Sequence, residues 1–592
     1  MKFGIKAICF ASLIAASAVY ASTTLSPNQL NNSGIIPSGY ADLKFVLANG
    51  NWVKNIYLPN TANHQDKITI QSSAGWKSYL DTSNTNLPIE VLEIQSGDVF
   101  QFTYDGNQKK WVAQLSAVSP TNGMPFEEIT LTSAKLQHIS LADGKWAQTI
   151  ALPTNVNDGI LVQVTSTATY PSMIATNNLL FPSSFNLQNG SEYWFKYNSA
   201  LQKWVPEFIK PIKLNVKDIG TNLNAVSAPV TEVNFANANW VANFTLPSTA
   251  NDRDRILVKS TATWTAKINN TNINSSASLM LKTGDQYEFM YVSDKGHWVL
   301  MSAPIKNIES TSNIASVLPN MTEPTLKVKV SNSNWRQSIN LPASAQIGDK
   351  VILASTADSN SFILASNGLS TVLQNGETRR FVYTQQGWAA DSHTIDMLFV
   401  NSPEVSTILG ESAAKLRMIE GLSLTNVTAE NSSAKFYLRK TGYITYKIPG
   451  DTLTAVLSIG RSDITVQTER KRVLADGVYY QGNEPGNGGC GWAYVNASAY
   501  NMIGTNDISG CSVAAMRHEI GHNLGLYHAD SSQIGSGFTH PLGSTALGGN
   551  NLNFYSSPYL YNPKYGVRLG EEGKKDAVSV INANAVRISQ YN

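Results

Sequence analysis

The sequence predicts a multidomain protein, with four tandem all-β modules, sandwich- or barrel-like, followed by a mixed α/β (α+β) domain. Two observations carry this prediction. A tryptophan-centred word recurs at a nearly constant interval through the first two thirds of the chain. Near Thr394 that pattern stops, and helical and strand-like stretches begin to mix. At 592 residues the chain is also too long for one core.

The chain opens with MKFGIKAICFASLIAASAVYA, in which Lys2 and Lys6 precede an apolar run from Ala7 to Val19 and small residues close at Ala21. This is the layout of a secretory signal peptide over residues 1–21, with cleavage before Ser22. A membrane anchor is the competing reading. The run is short and ends in a small-residue site, which favours the signal. No later stretch offers 18 apolar residues. The expectation is a secreted chain with no membrane span after processing.

In the repeats, Trp52, Trp146, Trp240 and Trp335 are spaced by 94, 94 and 95 residues. Each opens a matching word (NWVKNIYLP, KWAQTIALP, NWVANFTLP, NWRQSINLP) that closes on Pro59, Pro153, Pro247 or Pro342. A second marker follows in every copy, an aromatic pair and then a tryptophan. These are Phe102 and Tyr104 before Trp111, Phe195 and Tyr197 before Trp204, Phe289 and Tyr291 before Trp298, and Phe381 and Tyr383 before Trp388. Such a period means one domain copied four times. The boundaries read as 22–117, 118–210, 211–305 and 306–391. Runs such as DKITIQSS and VFQFTY alternate with a period of two and are separated by Asn, Gly, Ser and Asp, the pattern of strands and turns. A tryptophan at one place in every copy reads first as a core plug; stacking on sugar faces is the functional alternative. The modules' histidines, His64, His138 and His297, fall at non-equivalent places, which argues against metal binding there.

Composition narrows the function further. Lys and Arg total 44 against 42 acidic residues, a net charge of +2, with no basic block for nucleic acid. Neither a GxxxxGK[ST] loop nor a strand-anchored GxGxxG is present. Cys9 lies in the signal, leaving Cys490 and Cys511. An even pair in an exported chain reads as a disulfide worth about 3 kcal/mol, with two buried free thiols as the alternative.

In residues 392–592, IDMLFV reads as a buried strand, SAAKLRMIEGL as helix, and KFYLRKTGYITYKI, ADGVYY and GWAYV as further strands. The decisive segment is MRHEIGHNLGLYHAD. His518 and His522 stand at i and i+4, so both imidazoles leave one helix face. Gly525 lets the backbone turn and bring His528 round as a third ligand. Three neutral imidazoles on one catalytic Zn²⁺ leave a position open for water, and Glu519 is placed to take that water's proton.

HEIGHNLGLYH fits the extended HExxHxxGxxH pattern of the metzincin zinc endopeptidases, which this region resembles from about residue 392 to 592. The tail NFYSSPYLYNPKYGVRLG resembles the ending of secreted bacterial members related to the reprolysins. With the repeats included, the chain resembles secreted bacterial zinc endopeptidases that cleave O-glycosylated proteins. That resemblance implies hydrolysis beside a glycan-bearing Ser or Thr and export helped by a dedicated membrane-anchored chaperone. It also implies a methionine turn, but no methionine follows Met516; GSTALGGNN aligns with that turn and puts Leu547 at the methionine's place. Leu keeps the apolar volume. Family topology makes Gly491, Trp492 and Ala493 the edge strand to which substrate adds. Cys490 begins that strand and Cys511 lies seven residues before His518, so a bridge between them is expected to tie the edge to the start of the active-site helix. Trp492 and Tyr555 read as packing residues or groove borders. Between Ser22 and Gly489 there is no cysteine to occupy the open metal position, the latency device of many relatives. The competing reading is a carbohydrate-binding or adhesive protein with a vestigial metzincin domain. The complete ligand set argues against it.

Overall fold

The computed structural model describes residues 22–181, 185–275, 278–486 and 488–592. The signal-peptide segment and Cys9 lie outside them. The chain divides into two compact units, the first ending at Lys210 and the second spanning Pro211–Asn592. The first holds two repeats; the second holds the other two and the C-terminal domain.

Each repeat is a β-sandwich of one five-stranded and one smaller sheet. In the first, strands Asp42–Leu47, Lys67–Ser72, Val99–Asp105 and Lys110–Ala113 lie side by side, with Thr23–Leu25 at the edge. Strands Asn55–Ile56, Ser78–Asp81 and Val91–Ile94 form the facing sheet. Asp42–Leu47 and Lys67–Ser72 are parallel. A parallel pair needs a crossover, and here a strand of the facing sheet supplies it in place of a helix. Alternating burial along Asp42–Leu47 (Leu43, Phe45 and Leu47 fully buried) shows the two-residue period at work.

The two repeating markers meet in space. Trp111, Trp204, Trp298 and Trp388 are the buried plugs. Each indole N–H donates to the carbonyl of the proline that closes the first word: Pro59 (2.9 Å), Pro153 (2.7 Å), Pro247 (2.7 Å) and Pro342 (2.8 Å). A buried indole N–H needs an acceptor, and a proline carbonyl outside the strand ladder is free to serve. The first-word tryptophans are only partly buried. The core-plug reading therefore belongs to the second tryptophan of each copy and not to the first.

The C-terminal domain is built on β1 (His393–Asn401), β2 (Phe436–Thr445), β3 (Gly477–Gly482), β4 (Gly491–Ala493) and β5 (Ile503–Asp507). The sheet order is β2-β1-β3-β5-β4, all parallel except the edge strand β4, which runs antiparallel to β5. Both faces of β1 are covered, so Met397 to Val400 is a continuous apolar run, while Asp396 before it pairs with Arg439 at 2.5 Å. Met397 and Phe399 join one core with Ile520 and Leu524; Leu398 and Val400 join the other with Leu453 and Ile503.

Helix α1 (Glu411–Asn431) runs beside α2 (Ala515–Asn523) on one side of the sheet. Their close approach rests on Gly421, where an added Cβ would come within 3.2 Å of the Val513 carbonyl. Module 4 docks here through Arg380. It is 2% exposed, pairs with Asp391 at 2.8 Å and donates to the Ala434 carbonyl at 3.1 Å. Module 3 docks through Arg255, whose guanidinium donates to the carbonyls of Pro563 and Lys564, both at 2.9 Å. Among the described residues, no helix is long and apolar enough to cross a membrane.

Candidate metal centre and cleft

The site is assembled at the C-terminal end of α2. The helix stops in a Schellman turn: Leu526 N donates to Gly521 O at 3.0 Å and Gly525 N to His522 O at 2.8 Å. Gly525 has φ of +100°, which a side chain would oppose. This reversal returns the chain so that His528 faces His518 and His522.

The His528 Nε2 lies 3.0 Å from His518 Nε2 and 3.1 Å from His522 Nε2. His518 Nδ1–H donates to the Ala546 carbonyl and His522 Nδ1–H to the Leu526 carbonyl, both at 2.8 Å. A carbonyl only accepts, so each Nδ1 carries the proton and each Nε2 presents a lone pair inward. Lone pairs facing one another at this distance suit a shared cation; tetrahedral nitrogen ligands at about 2.0–2.1 Å stand a little over 3 Å apart. Burial, then the neighbouring His522, holds His518 down to about 4, and burial lowers His522 as well. Both rings are thus neutral near pH 7, the protonation state that ligation requires.

Glu519 is 4% exposed, and burial pushes its carboxyl up to about 8. A divalent cation at the three imidazoles would draw it back toward the carboxylate. The carboxyl and the imidazoles border a cleft of about 870 Å³ that Gly491, Trp492, Ala493, Tyr527 and Asp530 also line. Leu547 is 3% exposed and lies under α2, where a Cβ on Gly521 would come within 2.8 Å of its Cδ2. Its neighbour Ala546 supplies the carbonyl that orients His518. Tyr555 is fully buried, donating to Arg517 O at 3.0 Å behind the helix, and does not border the groove. Trp492 does line it.

Cys490 and Cys511 form a disulfide with Cα atoms 5.5 Å apart. It joins the residue before β4 to the segment leading into α2, so the free-thiol alternative falls away. We expect Cys490→Ser/Cys511→Ser to lower stability by about 3 kcal/mol. Loosening β4 beside Glu519 should also reduce turnover about tenfold. Denaturant midpoints and steady-state kinetics check both; wild-type values in each would contradict this role.

Two residues escaped sequence reasoning. Arg517, next to the first histidine, is 2% exposed and donates to Asn550 Oδ1 at 2.6 Å and Asn550 O at 2.8 Å, holding the segment after Leu547. Asn523, fully buried, donates to Tyr494 O and Ile503 O at 3.0 and 3.2 Å and pins α2 to the sheet edge. Their helical phase, opposite the histidines, was the only available signal.

Comparison with known proteins agrees with this geometry. The family profile "Metalloprotease StcE, beta-sandwich domain" matches residues 41–115, 134–208, 228–302 and 323–392. The profile "Metallo-peptidase family M12B Reprolysin-like" matches residues 422–529, which include the three histidines. A solved structure titled "Structure of a chaperone-substrate complex" is 70% identical, with a TM-score of 0.88 over 96% of this chain and 100% of that one. The chain belongs to the StcE-type, reprolysin-like metallopeptidases. It is accordingly a metalloendopeptidase. A crystal structure of enterohemorrhagic E. coli StcE(132–251) is 18% identical over 16% of this chain and 86% of that one. Its TM-score of 0.11 gives it no weight. No curated protein matches the chain. For this StcE-type metallopeptidase, the disulfide indicates folding in an oxidising compartment.

Proposed function

We propose that this is a secreted zinc endopeptidase that hydrolyses peptide bonds in O-glycosylated extracellular proteins, with Glu519 as its general base. The observation that carries the reading is the convergence of three imidazole Nε2 atoms, at 3.0 and 3.1 Å from His528, on a cleft that also holds the Glu519 carboxyl. Zinc held by His518, His522 and His528 would supply Lewis acidity toward a peptide carbonyl and acidify a bound water. The chain's own groups do the rest. The Ala546 and Leu526 carbonyls fix the two helical imidazoles in the ligating tautomer. Glu519 accepts a proton from the attacking water and returns it to the leaving amine, so no acyl-enzyme forms. Gly491, Trp492 and Ala493, on an edge strand paired only on its β5 side among the described residues, offer main-chain groups for an antiparallel substrate segment.

The modules support the glycoprotein substrate. In three of them the first-word tryptophan pairs with an exposed ring: Trp52 with Trp76 at 6.1 Å, Trp146 with Tyr170 at 5.9 Å, and Trp240 with Trp264 at 6.0 Å. The outer rings are 61%, 68% and 55% exposed. Module 4 has Ser359 at that place; Trp335 Nε1 donates to the carbonyl of the next residue, Asn360, at 3.2 Å, whereas Trp240 Nε1 donates to the Trp264 carbonyl itself at 3.1 Å. Exposed ring faces suit stacking on sugar C–H faces. Trp76→Ala/Tyr170→Ala/Trp264→Ala should raise KM on an O-glycoprotein several-fold and leave cleavage of a short unglycosylated peptide unchanged. Digesting one glycoprotein with and without its O-glycans, then sequencing the new termini, tests substrate class directly. Equal cleavage of both forms would remove the glycan from the reading. A dedicated membrane-anchored chaperone as export partner belongs to the same proposal; the 70%-identical relative is itself described in a chaperone–substrate complex.

A further inference from the structure

The Glu519 side chain reaches the cleft across two glycines. Gly491 begins β4 and Gly504 lies on β5, in the antiparallel ladder that pairs Gly491 with Asn506 and Ala493 with Gly504. Gly491 has no left-handed backbone angle, so conformational freedom is not why glycine stands there. The reason is space. A Cβ on Gly491 would lie 2.8 Å from Glu519 Cγ, 2.9 Å from its Oε1 and 2.4 Å from the Thr505 carbonyl. On Gly504 it would lie 3.5 Å from Glu519 Cβ and 3.3 Å from the Tyr479 ring. Residue 491 is itself held in place. Cys490 is bridged to Cys511, and the Cys490 carbonyl accepts from Asp507 N at 3.0 Å. The Cys511 carbonyl accepts from Arg417 Nη2 at 2.6 Å.

We infer that Gly491 is a positioning residue. The tethered, side-chain-free edge of β4 is the stop against which the Glu519 carboxyl rests, and it sets how far the proton-transferring oxygen projects into the cleft. The inference rests on the proposed role of Glu519 and adds the group that places it. A misplacement of about 1 Å can cost on the order of 10²-fold in rate, so even one added methyl should register more in turnover than in substrate binding.

The test is Gly491→Ala in two backgrounds. In the wild-type background, kcat should fall at least about tenfold and by a larger factor than any rise in KM, and bound metal should stay at one equivalent by mass spectrometry. In the Glu519→Ala background the two Glu519 contacts are gone and only the Thr505 carbonyl contact remains, so the loss of thermal unfolding temperature caused by Gly491→Ala should be measurably smaller than in wild type. An unchanged kcat overturns the inference. So does an equal temperature loss in both backgrounds, or failure to fold in both, because each would place the whole cost in the Thr505 contact. Wild-type protein without metal-dependent hydrolysis would instead sink the parent reading, and the inference with it.

Discussion

Glu519→Gln should yield a folded, metal-loaded protein whose kcat is lower by about 10²–10⁴-fold, the usual worth of a positioned general base. Glutamine keeps the length and volume that pack against Gly491 but cannot accept the water's proton at neutral pH. The loss should therefore appear in kcat, with KM nearly unchanged. The comparison must be made at equal metal content, since Glu519 sits between the ligands in sequence but is not among the three converging nitrogens. Retention of more than a tenth of wild-type turnover would remove Glu519 from the chemistry. The vestigial-domain reading predicts that no hydrolysis is there to lose.

The second large effect concerns the ion. His522→Ala should abolish stoichiometric metal and reduce peptide hydrolysis to background. His522 is 8% exposed and its two nitrogens are committed, one to the Leu526 carbonyl and one toward His528. Removing it leaves two imidazoles, too few for a closed three-ligand grip. Chelation of the wild-type protein should do the same reversibly, with activity returning on addition of zinc. An ion that binds only the folded chain adds RT ln(1 + [L]/Kd), about 4 kcal/mol at a thousand times Kd. The unfolding temperature of the second unit should accordingly fall on chelation in wild type and not in His522→Ala. Full activity after exhaustive chelation would end the metallopeptidase mechanism for this site.

Local patterns carried much of this protein. The 94-residue spacing of Trp52, Trp146 and Trp240 marked the modules. One eleven-residue window, His518 to His528, held the ligand set, because helical periodicity and one turning glycine suffice to bring the three imidazoles together. Those relations span a few residues or repeat identically, so they can be read along the chain. The docking of module 4 through Arg380 onto Ala434 and the hold of Arg517 on Asn550 could not be read that way. Nor could the choice of Trp111 over Trp52 as the plug.

What sequence alone determined was the inventory: repeated sandwich units, a helix presenting two metal ligands with a third just past its turn, a carboxyl beside the first, and a cysteine pair. Tertiary structure alone decided placement. The sheet order put β4 at the edge, and the bridge from Cys490 to Cys511 held it there. Burial between α2 and the two strands lifted the Glu519 carboxyl toward neutrality. The physical reason is that periodicity and chirality act between near neighbours, whereas steric exclusion and desolvation depend on atoms that folding brings together from distant parts of the chain.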